Sequence, residues 1–195
     1  GFHALEGMQC MLERRKGGET GVASVQAVQG DAILQAKNDG WWSRELMESA
    51  LAAQSGFKRE GWEQRFVQKS TLFLIQYRDS LKATMAMANG VAREFSFAAQ
   101  LNGKPKPAAC VLRLEEEQPY GHFGYLVKAI EHMVHTGKPA YPVERTLLTT
   151  GILDRAMHSL ADGHRKYETP ELNIAYKANE WPFATGDVGD VPKTN

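Results

Sequence analysis

A histidine at the start of the chain is the residue best suited to acid–base chemistry. His3 lies within residues 1–6, Gly-Phe-His-Ala-Leu-Glu, which have the pattern of a helix beginning. The positive end of a helix dipole favours a neutral imidazole, which can act as a base or as a hydrogen-bond partner. His3 is therefore the candidate catalytic residue. A capping or surface histidine would have the same position, so the alternative stays open.

A second aromatic and polar group lies where a loop meets a later predicted helix. Tyr120 and His122 flank a glycine there, and side chains of these types at such a junction can line a polar pocket. Both are candidates for substrate binding. The alternative is a helix-start histidine that bonds to the backbone. Trp41, Trp42 and Trp181 could stack on a sugar ring, form a subunit contact or belong to the core.

A charged segment, residues 13–21, leads into a pair of glycines. Arg14 or Arg15, together with Glu19, could bind an anionic or polyhydroxyl substrate, and Arg14 and Glu19 are the candidate site residues. The alternative is a helix C-terminus that carries cations near its negative end and is followed by a tight turn. The glycines are not a dinucleotide fingerprint, because no strand precedes them and the G-x-G-x-x-G pattern is missing.

The histidines and cysteines do not have the spacing of a metal site. His132 and His135 lie three residues apart on a predicted helix, but no recognised zinc-binding spacing accompanies them. Cys10 and Cys110 have apolar neighbours, which favours two buried thiols in a reducing compartment over a disulfide. The sequence therefore predicts no bound metal.

The charge balance limits the classes of partner. The chain carries 23 Lys and Arg and 23 Asp and Glu residues, so its formal net charge is zero. Proteins that bind nucleic acid or an anionic membrane usually carry a basic excess. No apolar run approaches the roughly 20 residues of a membrane span. We therefore expect a cytoplasmic protein with neither nucleic acid nor a membrane as a partner.

The elements that must position these residues begin with a helix over about residues 3–15 and a strand over 22–28. Residues 31–42 are ambiguous, a helix is predicted for about 43–53, and the polar segment 54–69 is predicted to be a loop. Residue 1 is a glycine and the chain opens inside a helical pattern. We therefore expect the sequence to be the later part of a longer chain.

The middle of the chain has a strongly apolar run over 72–77 and alternating patterns over 81–88, 94–101 and 108–114, which together predict a four-stranded antiparallel meander. Asn89-Gly90 suits a tight hairpin turn. One face is more apolar, and helices predicted over about 123–134 and 143–161 are available to cover it. The predicted class is α+β, a mainly antiparallel sheet with helices on one face. It forms one domain over 1–175, and an extended or disordered tail follows over 176–195.

The order of these elements, with two motifs, resembles the C-terminal part of the glucose–fructose oxidoreductase/inositol dehydrogenase (Gfo/Idh/MocA) family. Residues 1–3 resemble the end of the family's Asp-x-Gly-x-His segment. Residues 137–154, Gly-Lys-Pro-Ala-Tyr-Pro-Val-Glu-Arg-Thr-Leu-Leu-Thr-Thr-Gly-Ile-Leu-Asp, resemble its closing helix pair. Residues 167–170 resemble its final short strand, so most of 1–175 is covered. The polar segment 13–21 is longer than the family's usual link, which indicates a divergent branch.

The resemblance implies a substrate-binding and oligomerisation domain of an NAD- or NADP-dependent oxidoreductase acting on a sugar or polyol. The cofactor would be bound by an N-terminal Rossmann domain outside this chain, and the sheet face would form a homo-oligomer contact. His3 matches the family's catalytic histidine, an acid/base for the substrate hydroxyl. Two alternatives stay open: a non-catalytic ligand-binding or assembly domain, and a redox-neutral lyase or hydrolase that uses NAD.

Overall fold

The computed structural model describes residues 1–115, 117–118 and 120–181. It confirms the α+β class. The described helices are α1 Phe2–Leu12, α2 Asp31–Asn38, α3 Arg44–Ala52, α4 Trp62–Lys69, α5 His122–Thr136 and α6 Val143–Ala161. The described strands are β1 Val22–Gln29, β2 Thr71–Tyr77, β3 Lys82–Met87, β4 Phe95–Ala99, β5 Ala108–Leu112 and β6 Tyr167–Glu168.

The strands form two separate antiparallel sheets. The larger has the order β3-β2-β1-β6, and the smaller is the β4–β5 hairpin. In the larger sheet Val25 pairs with Ile75, and Ile75 pairs with Ala83 on its other side. In the hairpin Phe97 pairs with Cys110. The strands β2 to β5 were expected from the alternating pattern, but the first strand of the chain takes a central place in the larger sheet.

The predicted four-stranded meander is therefore wrong at one point, because β3 and β4 do not pair. The turn after β3 does close, with Val91 N donating to Ala88 O at 3.1 Å. The chain then bonds to the end of α3, where Gln54 Oε1 accepts hydrogen bonds from Arg93 N at 2.9 Å and Glu94 N at 3.2 Å. These bonds direct β4 towards α3 instead of back along β3.

Helices cover both faces of the larger sheet, whereas the sequence predicted cover on one. Successive residues of β2 point to opposite faces, as strand geometry requires. One core packs the sheet against α1 and α6, and it contains Leu5, Met8, Val25, Phe73, Ile75, Leu148 and Ile152. The other packs it against α2, α3 and α4, and it contains Ile33, Trp42, Leu51, Trp62, Phe66, Leu72 and Leu74. Because helices cover both faces, the larger sheet does not offer the open face through which the homo-oligomer contact was predicted.

The two late helices differ in what they cover. In α6, Leu148, Ile152 and Ala156 are buried against the sheet. None of the α5 residues is buried; Val134, for example, is 72% exposed. The prediction that both helices cover the sheet holds for α6 and is wrong for α5. On this face of the sheet, α6 packs in the same core as α1.

Three further segments show what the pattern missed. The ambiguous segment contains α2, and the predicted loop over 54–69 contains α4, whose Trp62 and Phe66 lie one turn apart and are buried. The start of the predicted tail is bonded to the domain, since Tyr176 forms a β-bridge with Glu19. Residues 182–195 lie outside the described residues. No helix of the described part is long and apolar enough to cross a membrane.

Candidate functional site

The predicted catalytic histidine is accessible. His3 lies in the first turn of α1, and its ring makes an edge contact with Phe2 at 6.0 Å between centroids. It is exposed. Its neighbour Ala4 begins the row Ala4, Met8 and Leu12 on one face of α1. One residue of offset is about 100° around a helix, so His3 lies on a different face from that row.

The charged segment after α1 has a structural role. Glu19 is only 2% exposed. Its Oε1 accepts hydrogen bonds from the backbone nitrogens of Thr20 and Gly21, both at 2.8 Å. Arg14 is held near its own helix, with Nη1 donating to Cys10 O at 2.7 Å. Substrate binding by Glu19 is therefore contradicted by its burial, and the turn reading of this segment is the one that the geometry supports.

Arg15, the alternative to Arg14 as a ligand-binding arginine, holds this turn together. Its guanidinium bonds to both oxygens of Glu19 at 3.0 and 3.2 Å, and its Nε bonds to Asp79 Oδ2 at 2.7 Å. Burial works against the charge of Arg15, but these two carboxylates raise its pKa above the usual range. Burial would raise the pKa of Asp79, whereas the hydrogen bond from Arg15 lowers it, and the pKa is lower than usual.

A buried polar network continues from this turn. Arg145 on α6 bonds to both oxygens of Glu13 at 3.0 and 3.1 Å. Tyr176 Oη donates to Glu13 Oε2 at 2.9 Å and accepts from Gln9 Nε2 at 3.0 Å. Tyr77 Oη donates to Gln9 Oε1 at 2.8 Å. The network thus joins α1, α6, β2 and the segment after β6.

The two phenols of the network are neutral hydrogen-bonding groups at physiological pH. Burial raises the pKa of Tyr77, and the carboxylate of Glu19 raises it further. Burial also raises the pKa of Tyr176, with a contribution from the charge of Glu13. A group whose pKa is far above the ambient pH does not exchange protons readily. We therefore assign this network to folding and not to proton transfer.

The second predicted pair lies at the start of α5. His122 Nδ1 is 2.6 Å from Glu115 O, and Tyr125 Oη donates to Glu115 Oε1 at 3.0 Å. Tyr120 has a positive φ of 61° and is exposed. The bond from His122 to the backbone is the alternative that the sequence left open. Tyr120 and His122 are close neighbours on one loop, whereas His3 and Glu19 lie at opposite ends of α1.

The structure shows a cleft of about 630 Å³, which the sequence analysis did not anticipate. His3, Arg14, Glu19, Tyr120 and His122 do not line it, whereas Trp41 and Trp42 do. Its walls are apolar: α1 contributes one side and α3, preceded by the two tryptophans, contributes the other. The lining side chains on these two walls are Ala4, Met8, Leu12, Trp41, Trp42, Leu46, Met47, Ala50 and Leu51.

The base of this cleft is the gap between β3 and β4. Every residue from Leu81 to Asn89 and every residue from Ala92 to Gln100 lines it. Side chains alternate between the two faces of a strand. Because the cleft contacts every successive residue, it runs along the strand edges and not along one face. The backbone N–H and C=O groups point towards these edges. The gap is present because β3 and β4 do not pair, and no pattern in the sequence shows which strands pair.

Some polar side chains of the cleft are bonded within the protein. Thr84 Oγ1 donates to Trp41 O at 2.8 Å, and Gln54 Nε2 donates to Ser96 Oγ at 2.7 Å. Lys82 lies at one end, with its Nζ 4.9 Å from the centroid of the Trp41 ring. The cleft thus combines apolar walls with the backbone groups of two strand edges, and it carries a lysine at one end.

The described residues do not fit a nicotinamide dinucleotide. A Rossmann site puts a glycine-rich turn between a parallel strand and a helix whose N-terminus meets the pyrophosphate. Here β1 leads through Gly30 into α2, but β1 is antiparallel to both of its neighbours. The first turn of α2 also contains Asp31, whose carboxylate would repel a phosphate. The described part of the chain likewise has no group of three or more His, Cys, Asp or Glu that could hold a metal ion.

Comparison with family models, curated proteins and solved structures gives no match to this chain.

Proposed function

We propose that this chain is the substrate-binding and oligomerisation domain of a cytoplasmic NAD(P)-dependent oxidoreductase that acts on a sugar or polyol. The observation that carries the proposal is His3, an exposed imidazole in the first turn of the first helix. This is where the resemblance to the Gfo/Idh/MocA family requires its acid/base. The α+β architecture, with an antiparallel sheet and a late helix pair, supports the same assignment.

In this role His3 would exchange a proton with the substrate hydroxyl. An exposed ring at a helix N-terminus can be approached from outside the domain. The hydroxyl of Tyr120 and the ring of His122 are the accessible members of the predicted binding set. Glu19 has no part in the proposal because its oxygens are buried and bonded. The nicotinamide cofactor would be bound by residues outside this chain.

The exposed apolar face of α5 supports the oligomerisation part of the proposal. Contiguous apolar patches on a protein surface often mark interfaces. The patch contains Phe123, Leu126, Val127, Ile130, Met133 and Val134, all at least 43% exposed. We expect Val134→Glu to dissociate the oligomer and the adjacent His135→Glu, outside the patch, to leave it intact. Sedimentation velocity measures both. A monomeric parent protein would contradict this part.

The catalytic part is tested by turnover in the natural full-length protein. We expect it to bind NAD or NADP saturably, as followed by tryptophan fluorescence, and the 195-residue chain alone to bind neither. His3→Ala should reduce kcat by about 10²–10⁴-fold, the usual contribution of a general acid or base. The control His135→Ala should leave kcat unchanged, and both variants should unfold at the same denaturant concentration as the parent.

The outcomes separate the alternatives. Failure of the full-length protein to bind either nucleotide would overturn the oxidoreductase assignment. Substrate turnover without net reduction of the nucleotide would identify the redox-neutral lyase or hydrolase. A non-catalytic ligand-binding domain is the second candidate, favoured by the 630 Å³ apolar cleft. It predicts ligand binding that is insensitive to His3→Ala.

A further inference from the structure

The gap between β3 and β4 has the features of a site for one more strand. We propose that the cleft binds an extended, apolar polypeptide segment of a partner protein, which adds its backbone to the edges of both strands. This function lies beyond the proposed enzymatic role, since none of the predicted catalytic or substrate-binding residues lines the cleft.

The first argument is that both strands present free edges to the same space. β3 is the outer strand of the larger sheet, and β4 pairs with β5 alone among the described strands. The cleft touches all residues of both strands. An unpaired edge exposes a row of backbone donors and acceptors, which is a template for another strand. A segment lying between β3 and β4 would find such a row on each side.

The second argument concerns the chemistry of the occupant. A fatty acyl chain or another apolar small molecule would fill the apolar walls but would displace water from the strand edges. Buried backbone groups without partners cost about as much as lost hydrogen bonds. An extended peptide replaces those water bonds with ladder bonds, as in β-strand addition. The edges thus favour a polypeptide over a lipid.

The third argument concerns the side chains of the occupant. Residues of an inserted strand would point alternately towards α1 and towards α3. Met8 and Leu12 lie on the first side, and Met47 and Ala50 lie on the second. Because both walls are apolar, the bound segment would be apolar at every position, as in strands buried on both faces. Methionine side chains adapt to varied shapes, so the site would tolerate several apolar sequences.

The volume sets the length of the bound segment. A strand residue occupies about 3.3 Å along the chain, about 4.8 Å to the next strand and about 10 Å between packed layers. A cleft of about 630 Å³ therefore holds about four residues. Lys82 lies at one end beside the Trp41 ring, which favours an acidic residue next to the apolar run. The inferred ligand is about four apolar residues flanked on one side by an acid.

The test uses the 195-residue chain and a capped peptide of one glutamate followed by alternating valine and alanine over four positions. We expect saturable binding by calorimetry. We also expect slower hydrogen–deuterium exchange, by about tenfold, of amides in both 81–89 and 92–100. The decisive control is the same peptide with N-methylated valines. It keeps the apolar side chains, lacks the backbone donors that face one of the two strands and should bind at least about tenfold more weakly.

A matched pair of variants locates the binding. Ala50 on α3 lines the cleft, whereas Ala52 on the same helix is exposed and does not. We expect Ala50→Phe to fill the α3 side of the cleft and weaken the peptide by about tenfold or more. Ala52→Phe should change its affinity less than twofold. Circular dichroism and the unfolding midpoint confirm that both variants fold.

Four results would overturn the proposal. If the N-methylated peptide bound as tightly as its parent, the peptide would not form ladder hydrogen bonds with β3 and β4. Dodecanoate binding in competition with the peptide, without slower amide exchange, would identify a small-molecule site. Slow exchange of 81–89 and 92–100 in the free protein, with no peptide binding, would mean that β3 and β4 pair with each other. A dimer that protects both segments and excludes the peptide would make a second copy of this chain the occupant.

Discussion

The polar network around Glu13 and the cleft beside β3 differ in how their polar groups are paired. In the network each carboxylate oxygen of Glu13 has a partner within 3.1 Å. In the cleft most side chains are apolar, and the facing edges of β3 and β4 have no partner among the described strands. The carboxylate oxygens of Glu13 are therefore fully bonded, whereas the cleft is open to a ligand.

This difference shows that residue type alone is a poor guide to function. In the sequence, Glu19 is a candidate ligand group because it belongs to the charged, glycine-containing segment 13–21. The structure uses it to hold Arg15 and the turn at Thr20 and Gly21. A buried, fully bonded carboxylate stabilises one conformation, whereas a binding site must leave groups unpaired until its ligand arrives.

The largest expected effect breaks the network at its centre. Glu13→Ala removes the carboxylate that bonds the buried Arg145 at 3.0 and 3.1 Å and leaves it a longer contact of 3.8 Å with Glu6. Loss of one member of a buried ion pair costs about 3–5 kcal/mol. Urea unfolding followed by circular dichroism measures the loss. Glu144→Ala, at an exposed position on α6, is the control and should change stability by less than about 0.5 kcal/mol. Equal stabilities of the two variants would show that the Glu13–Arg145 pair is not coupled to folding.

The next effect concerns the cleft wall. Met85 on β3 is buried in the core shared with α1 and also lines the cleft. We expect Met85→Ala to destabilise the fold by about 2–3 kcal/mol through lost packing and an enlarged cavity. Met157→Ala on the exposed side of α6 should be nearly neutral. A neutral Met85→Ala would mean that this wall does not belong to the core, contrary to its contacts.

A smaller effect tests a single hydroxyl of the network. Tyr176→Phe keeps the ring but removes the group that bonds Glu13 and Gln9. Because it leaves buried polar partners unpaired, we expect a loss of about 1–2 kcal/mol in urea unfolding. The control Tyr141→Phe keeps the aromatic ring, which packs 4.1 Å from the Arg145 guanidinium. It should change little, and a comparable loss there would contradict the assignment to the hydroxyl.

The smallest effect depends on pH at the rim of the network. The pKa of Asp79 is lower in the folded protein than its usual value, so its ion pair with Arg15 stabilises the fold above about pH 4, the unfolded value. That stabilisation is lost as the pH falls through the folded pKa. Asp79→Asn should cost at most about 1 kcal/mol at pH 7, because the pair is partly exposed. The difference from the parent should vanish near pH 2, and a constant difference at both pH values would contradict the linkage.

The local elements were largely predictable because their signals are local. The apolar alternation located β2 to β5, and the periodicity with Gly137 at its end located α5. The helix α4 was missed because its sequence is mostly polar. Its helical signal is the i, i+4 pair Trp62 and Phe66, which makes sense only against the sheet that buries it.

The candidate site was less predictable than the fold. The sequence could nominate His3, and the structure places it on an accessible helix start. It could not show that Glu19 and Arg14 are committed to contacts inside the protein. Nor could it show the cleft, since that site consists of backbone edges and of side chains from α1, α3, β3 and β4.

The sequence by itself determined the class of this protein, the apolar faces of its helices and strands, and its neutral charge, because these depend on composition and on short-range periodicity. The tertiary structure decided which strand lies beside which, which charges are buried and where an edge is left open. Those outcomes depend on contacts between residues far apart in the chain. The pairing of β1 with β2, the bond from Gln54 to the start of β4 and the ion pair of Glu13 with Arg145 are three such contacts.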